Sequence, residues 1–485
     1  MADKEISLKK EASLLTISKM INLIITMLTS MLLSRFRSLE EYGTFSQLSL
    51  ILSLLTTFSM LGIPNSINYF LPRIENDEEK QSFLNTFFGL NTLLSVIAGS
   101  LMVIVIPIMV WYFNNKNIYG FYYFAAIMPW AKITIQERGN LLIALHKTTK
   151  LIFYTFLNSV SLLVIIVFTH TIHQSFKFYM YMYVAIEVLF AFLVYFEGLN
   201  NSGRISLHID KRLCKKVLLY TIPMGFSDMV NTISREIDKL MIGGFLDTEA
   251  LAIYTNAARE ISLTVISTSF IAVMMPKLSK MVKEKKIEEA VKLWKDTISF
   301  TYIFMAFGVT VLVVFAPQVI TILYSEKYLP GVDVFRIYAL ILLWRTTYFG
   351  TMLNLYGETK KILVCSISAM GLNVIFNYIF YKLIGFTGPA WSTFWAIGIV
   401  NVLQLILSAK ITQISILKLF PWLDLLKITF INATCGAIVY IMMERFNVGI
   451  DLRGCSVAVV IGIVWVTVYI GFIMKKRIKR QWEST

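Results

Sequence analysis

The sequence predicts an all-α membrane protein of about 14 transmembrane helices: two six-helix lobes in parallel pseudo-repeat, plus two C-terminal helices. Three observations predict it. Of 485 residues, 56% are hydrophobic and only 15% charged, against about 25% charged in a soluble domain; the mean hydropathy is +0.67. Apolar runs of the roughly 20 residues that cross a bilayer recur from end to end. Lys and Arg gather in alternate connections.

The spans fall near 12–34, 44–70, 83–111, 118–135, 151–170, 178–198, 218–246, 250–275, 297–317, 332–353, 362–384, 388–409, 424–444 and 455–474. The start, with Lys4, Lys9 and Lys10 before an apolar run and no small-residue cleavage site, reads as an uncleaved first span. The second, third and seventh runs exceed the length a crossing requires, and Pro64, Pro107 and Pro223 are the expected kink sites. Connections are short, leaving no room for a soluble domain. With no Gly-x-x-x-x-Gly-Lys-Ser/Thr stretch, direct ATP hydrolysis is not expected.

Orientation follows from the basic residues. If the N-terminal side is inside, that side holds Arg73, Arg138, Lys147, Lys150, Arg204, Lys211, Arg212, Lys277, Lys360 and the tail 475–480. About thirty Lys and Arg fall inside against about eight outside. Both termini are then cytoplasmic, and the net charge of +15 reflects topology and anionic lipid rather than nucleic acid.

A duplication sets the lobes. Phe36-Arg-Ser-Leu-Glu-Glu-Tyr-Gly-Thr-Phe45 after the first span matches Phe245-Leu-Asp-Thr-Glu-Ala-Leu-Ala-Ile-Tyr254 after the seventh. The next spans end in Pro72-Arg73 and Pro276-Lys277. Six spans per copy keep both copies in one orientation. The expected division is 1–210, 211–420, and 421–485 for spans thirteen and fourteen with the basic tail.

Charges within spans are the candidate functional residues, because each costs about 3 kcal/mol at mid-bilayer unless it meets a cavity or a partner. On span seven, at 100° per residue, Asp228, Arg235 and Lys239 share a narrow arc flanked by Asn231 and Asp238 on one side and by Thr232 and Glu236 on the other. Span eight adds Asn256, Arg259 and Glu260; span ten adds Arg336 and Arg345. Two readings stay open. Arg235–Asp238 and Glu236–Lys239 can fasten helices as i,i+3 pairs. Alternatively the cations hold an anionic substrate and the acids carry a coupling H+ or Na+. Arg235, Arg259 and Arg345, with fewer acids at pairing distance in their own helices, favour the second.

Glu187 is a further coupling candidate, Glu197 reads as solvated, and Lys132 can snorkel to the inner surface. Asn373 and Asn377, one turn apart, suit a helix contact or a cavity wall. His146, His170, His173 and His208 lie in connections or at span ends, and Cys214, Cys365, Cys435 and Cys455 form no CxxC pair. No metal site is expected.

These segments resemble the polysaccharide biosynthesis (Wzx-type) flippases. The resemblance rests on Ser34-Arg35 with Glu41-Tyr-Gly-Thr-Phe45, Leu61-Gly-Ile-Pro64, Ile237-Asp-Lys-Leu-Met-Ile-Gly243, Ala252-Ile-Tyr-Thr-Asn-Ala257 and Met275-Pro-Lys-Leu-Ser279. It continues in Asn354-Leu-Tyr-Gly-Glu-Thr-Lys-Lys361 and Gly385-Phe-Thr-Gly-Pro-Ala390. It covers most of the chain, least the last two spans.

The resemblance implies membership of the multidrug/oligosaccharidyl-lipid/polysaccharide exporter superfamily, with a V-shaped cavity between lobes, like that of the multidrug (MATE) exporters. It implies a transporter, not an enzyme, that flips an undecaprenyl-pyrophosphate-linked oligosaccharide across the bacterial inner membrane. Arg35, Asp238 and Arg259 stand in matching segments. The expected partners are that lipid, the membrane and other polysaccharide (O-antigen) assembly proteins. The expected cofactor is none beyond a coupling Na+ or H+. An ion-coupled drug exporter of the same fold would call for an acidic cavity, against the Arg content. A glycan polymerase would call for a large charged outer loop and an acyltransferase for a buried His; the sequence offers neither.

Overall fold

The computed structural model describes residues 2–145, 147–200, 209–259, 263–446 and 448–469. His146, Arg204, His208, Glu260 and the basic tail lie outside the described residues. Among the described residues every regular element is helical. The α-helices are α1 (Ala2–Phe36), α2 (Leu39–Met60), α3 (Pro64–Phe70), α4 (Asp77–Phe113), α5 (Tyr122–Ala144), α6 (Thr148–Thr171), α7 (Phe176–Asn200), α8 (Lys211–Phe245), α9 (Thr248–Ala257) and α10 (Thr264–Lys283). There follow α11 (Ile287–Val314), α12 (Ala316–Leu323), α13 (Val332–Trp344), α14 (Thr351–Leu355), α15 (Thr359–Ile384), α16 (Gly388–Thr412), α17 (Ile416–Leu419), α18 (Trp422–Arg445) and α19 (Leu452–Tyr469). Among the described residues, 8 helical stretches are long and apolar enough to cross a membrane. The charge-bearing α5 and α8 and the short α13 are not among them.

The duplicated segment folds the same way twice. α1 and α8 each run 35 residues and stop at Phe36 and Phe245. Ser38 then accepts from Glu41 N–H at 3.1 Å while the Glu41 carboxylate accepts from Ser38 N–H at 3.3 Å, a capping box that starts α2. In the second copy the Asp247 carboxylate accepts from Ala250 N–H at 2.7 Å beside the start of α9.

Two compact units emerge, Met1–Thr255 and Asn256–Thr485, so α8 groups with the first unit by its packing. That unit holds two apolar clusters. One gathers Met102, Ile106, Phe124, Tyr179 and Met180; the other gathers Ile67, Phe83, Phe87, Leu141 and Val194. Between them along α4, α5 and α7 comes a polar layer containing Asn91, Ser95, Thr134, Glu137 and Glu187. In the second unit, Met274, Trp294, Ile298, Met352 and Leu405 form the main cluster.

The prolines behave differently from one another. Pro107 and Pro223 lie inside continuous helices. Pro64 instead starts α3 after α2 has ended in a left-handed residue, Leu61. Gly62, at φ +71°, presses on α8: a Cβ there would sit 2.5 Å from Thr221 O and 2.6 Å from Gly225 N. Backbone cannot rotate away, so Gly62→Ala is expected to destabilise the protein by about 3 kcal/mol or more. Gly371→Ala, in mid-helix where a Cβ meets nothing within 4 Å, is expected to be neutral or stabilising by up to about 1 kcal/mol. Thermal unfolding in detergent checks the pair.

Candidate functional site

Three polar regions stand out. The first is α8, which packs on α2, α3 and α4. The predicted stripe divides. Asp228 and Arg235 are exposed, as is Asn231. Asn65 donates to Asp228 at 3.5 Å, and Arg235 reaches Thr232 Oγ1 at 3.5 Å. Glu236 and Lys239 pair at 2.8 Å, half-buried, as the fastening reading expects. Asp238 turns inward, 2% exposed, and accepts from Tyr254 O–H at 3.3 Å. The open face thus carries both charges and amides, a surface that belongs against water rather than acyl chains.

The flanking arginines differ. Arg35 and Arg259 are exposed. The buried cation at the end of α1 is Arg37, which donates to Gln174 O at 3.0 Å and Thr169 Oγ1 at 3.2 Å and lies 5.6 Å from the Tyr179 ring centroid. Arg37 therefore fastens α1 to the α6–α7 corner. His170, in the last turn of α6, stacks on Phe36 with 3.8 Å between ring centroids.

The second region is the polar layer of the first unit. Glu187 is 1% exposed and pairs with Lys132 at 3.3 Å, so Lys132 turns to an inner partner as well as toward the surface. Glu197 is buried rather than solvated, because Lys147 and Lys150 close on it at 2.6 and 2.9 Å. Glu137 and Arg138, expected beyond the end of span four, lie inside α5 and are buried. Arg138 donates to Tyr154 O at 3.3 Å and Asn91 donates to Glu137 at 2.7 Å.

The third region is a break in a predicted span. Helix α13 stops at Trp344, residues 345–350 are not helical, and α14 resumes at Thr351. Freed carbonyls are taken by neighbours: Asn401 donates to Trp344 O and Ser267 to Arg345 O, both at 3.0 Å. Irregular backbone at membrane depth is stable only where protein or water satisfies it. Here it lines a cavity of about 400 Å³ in the second unit, walled by Ser267, Trp344, Arg345, Tyr348, Asn401 and Gln404. The Trp344 indole N–H is buried without a partner. A guanidinium, a phenol and two amides around one space can engage an anion and hydroxyl groups together. Nearby on α15, Asn377 donates to Asn373 at 3.0 Å and Asn373 to Thr393 on α16 at 2.9 Å, a polar seam joining these two helices.

The family described as "Polysaccharide biosynthesis protein" matches residues 32–333. No curated protein matches the sequence significantly. Among solved structures, the lipid II flippase MurJ in an inward closed conformation is similar, with TM-score 0.74 and 18% identity over 96% of this chain and 99% of that one. An inward-facing multidrug resistance MATE family transporter of the MOP superfamily gives TM-score 0.63 and 15% identity over 83% and 98%. A MOP superfamily transporter from Pyrococcus furiosus gives 0.53 and 16% over 84% and 96%.

Proposed function

Because this chain belongs to the polysaccharide biosynthesis protein family of the MOP superfamily, we propose that it flips an undecaprenyl-pyrophosphate-linked oligosaccharide from the cytoplasmic to the periplasmic leaflet of the bacterial inner membrane. The termini are cytoplasmic, the cycle alternates access and an ion gradient drives it. The protein breaks no bond of its cargo.

One observation carries the reading: Arg345 stands at an interrupted helix on a cavity of about 400 Å³, where Ile271, Phe349 and Ile397 line the wall together with Ser267, Tyr348, Asn401 and Gln404. A pyrophosphate and a glycan are both costly in hydrocarbon. A cation about 4 Å from phosphate contributes about 4 kcal/mol at an effective dielectric of 20, and a guanidinium can fork two donors onto its oxygens. The Asn401 and Gln404 amides supply contacts of the kind sugar hydroxyls accept. Arg235 on the open face of α8 offers a second guanidinium, with Asp228 on the same face, while Lys239 is held by Glu236.

The test is reconstitution in liposomes with a fluorescent polyprenyl-pyrophosphate oligosaccharide. Protein-dependent passage of the glycan to the far leaflet is expected. No passage of the glycan, with export of an organic-cation drug by the same liposomes, would replace this reading with multidrug export.

A further inference from the structure

The polar layer of the first unit contains a carboxylate that neither the α8 stripe nor the Arg345 cavity uses. Glu137 is 2% exposed. One carboxylate oxygen accepts from Asn91 Nδ2 at 2.7 Å; the other, Oε1, is buried with no partner. Ser95 Oγ and Thr134 Oγ1 are also buried without partners. These residues are neighbours by register. Asn91 of α4 meets Glu137 of α5, and farther along α4 a Cβ on Gly99 would come 2.7 Å from Ala126 O. The two helices therefore run antiparallel in close contact. Ser95 follows Asn91 by one turn and Thr134 precedes Glu137 by one turn, on the same stretch of the seam.

The surrounding charges are engaged elsewhere. On α5 itself, Lys132 pairs with Glu187 of α7 and Arg138 donates to Tyr154 O of α6. Of the other titratable groups on packed elements, Glu197 of α7 is held by Lys147 and Lys150. Tyr195 of α7 meets Thr92 at 3.3 Å. Tyr183 of α7 lies with Lys132 and Glu187, and Tyr69 of α3 stacks on Tyr220. A bare carboxylate between two apolar clusters, opposed only by a neutral amide, is strongly disfavoured. A monovalent cation removes that penalty, and a carboxylate oxygen with two hydroxyl oxygens is a donor set for a hard ion or for an acid proton.

We infer that Glu137, with Ser95 and Thr134, forms a monovalent-cation site of the N-terminal unit, occupied by Na+ or H+. Its coupling role rests on the transport reading; its occupancy does not, and is measured without cargo. Purified full-length protein in detergent is unfolded thermally in sodium chloride or choline chloride across a pH series. In the sodium arm, the wild-type Tm rises with Na+ at alkaline pH. In the proton arm, Na+ has no effect, Tm rises as pH falls, and infrared spectra show a protonated-carboxyl band. Glu137→Gln is expected to abolish whichever response the wild type shows, and Glu284→Gln, in an exposed connection, to keep it. Ser95→Ala with Thr134→Val, which retains the carboxylate, is expected to weaken the response at least tenfold in midpoint concentration and tests the site if Glu137→Gln fails to fold. A wild type responding to neither ion, or variants responding like the wild type, overturns the inference. Glycan flipping lost with cation response intact would instead count against the cargo.

Discussion

Replacing Arg345 with alanine is expected to slow glycan flipping about 30- to 150-fold while leaving the fold intact. The size follows from what the side chain can do for a phosphate. A full contact is worth about 4 kcal/mol at an effective dielectric of 20, but Arg345 is only half-buried, and water competes for the charge. About 2–3 kcal/mol remains, in the range of a charge-assisted hydrogen bond, and each 1.4 kcal/mol is tenfold in rate. Arg345→Lys keeps the charge and loses the fork, so a loss of about tenfold is expected. The helix break itself survives either change, because Ser267 and Asn401 hold backbone carbonyls, not the guanidinium. Thermal midpoints of both variants, measured alongside, separate a loss of flipping from a loss of stability. Wild-type flipping in Arg345→Ala, measured by initial rate in proteoliposomes, would remove the cavity from the cargo's route.

Legibility in the sequence differed between fold and site for physical reasons. Apolar run length reports lipid exposure, so the helical membrane architecture was readable, and the repeated segments Phe36–Phe45 and Phe245–Tyr254 marked the junctions that the structure caps with Ser38 and Asp247. The same measure hides what matters most. It carried span ten through 332–353, although the backbone opens after Trp344, because Leu343, Trp344 and Phe349 are as apolar in a break as in a helix. It ended span four at 135, where polarity begins, and so left Glu137 and Arg138 outside a helix that continues to Ala144. The tendency to end a span at its first charge excludes the charges a transporter buries. The resemblance pointed to Arg35, whereas the structure buries Arg37: the cap of Ser38 with Glu41 fixes Arg37 at the corner where it finds Thr169. On α8 the wheel grouped the charges, but only packing shows that Asp238 leaves the stripe for Tyr254.

Lys132 and Glu187 are expected to act as a fastener, and a double-mutant cycle separates that role from ion coupling. Glu187 is 1% exposed on its side chain while Lys132 is 34% exposed, so the two single changes are unequal. Lys132→Met leaves a carboxylate buried without its cation, at an expected cost of about 3–5 kcal/mol. Glu187→Gln leaves an ammonium that can extend its stem toward water, and about 1 kcal/mol is expected. The double variant removes both charges and keeps the volume, so it is expected within about 1 kcal/mol of wild type, giving a coupling energy of about 3–5 kcal/mol. Transport by the double variant is expected to stay within about twofold of wild type and to keep its dependence on the ion gradient, since a fastener need only be neutral and filled. Stability restored in the double variant together with loss of gradient dependence would place the coupling ion on Glu187 instead. A cycle with no coupling energy would mean that the 3.3 Å contact contributes nothing to holding α5 on α7.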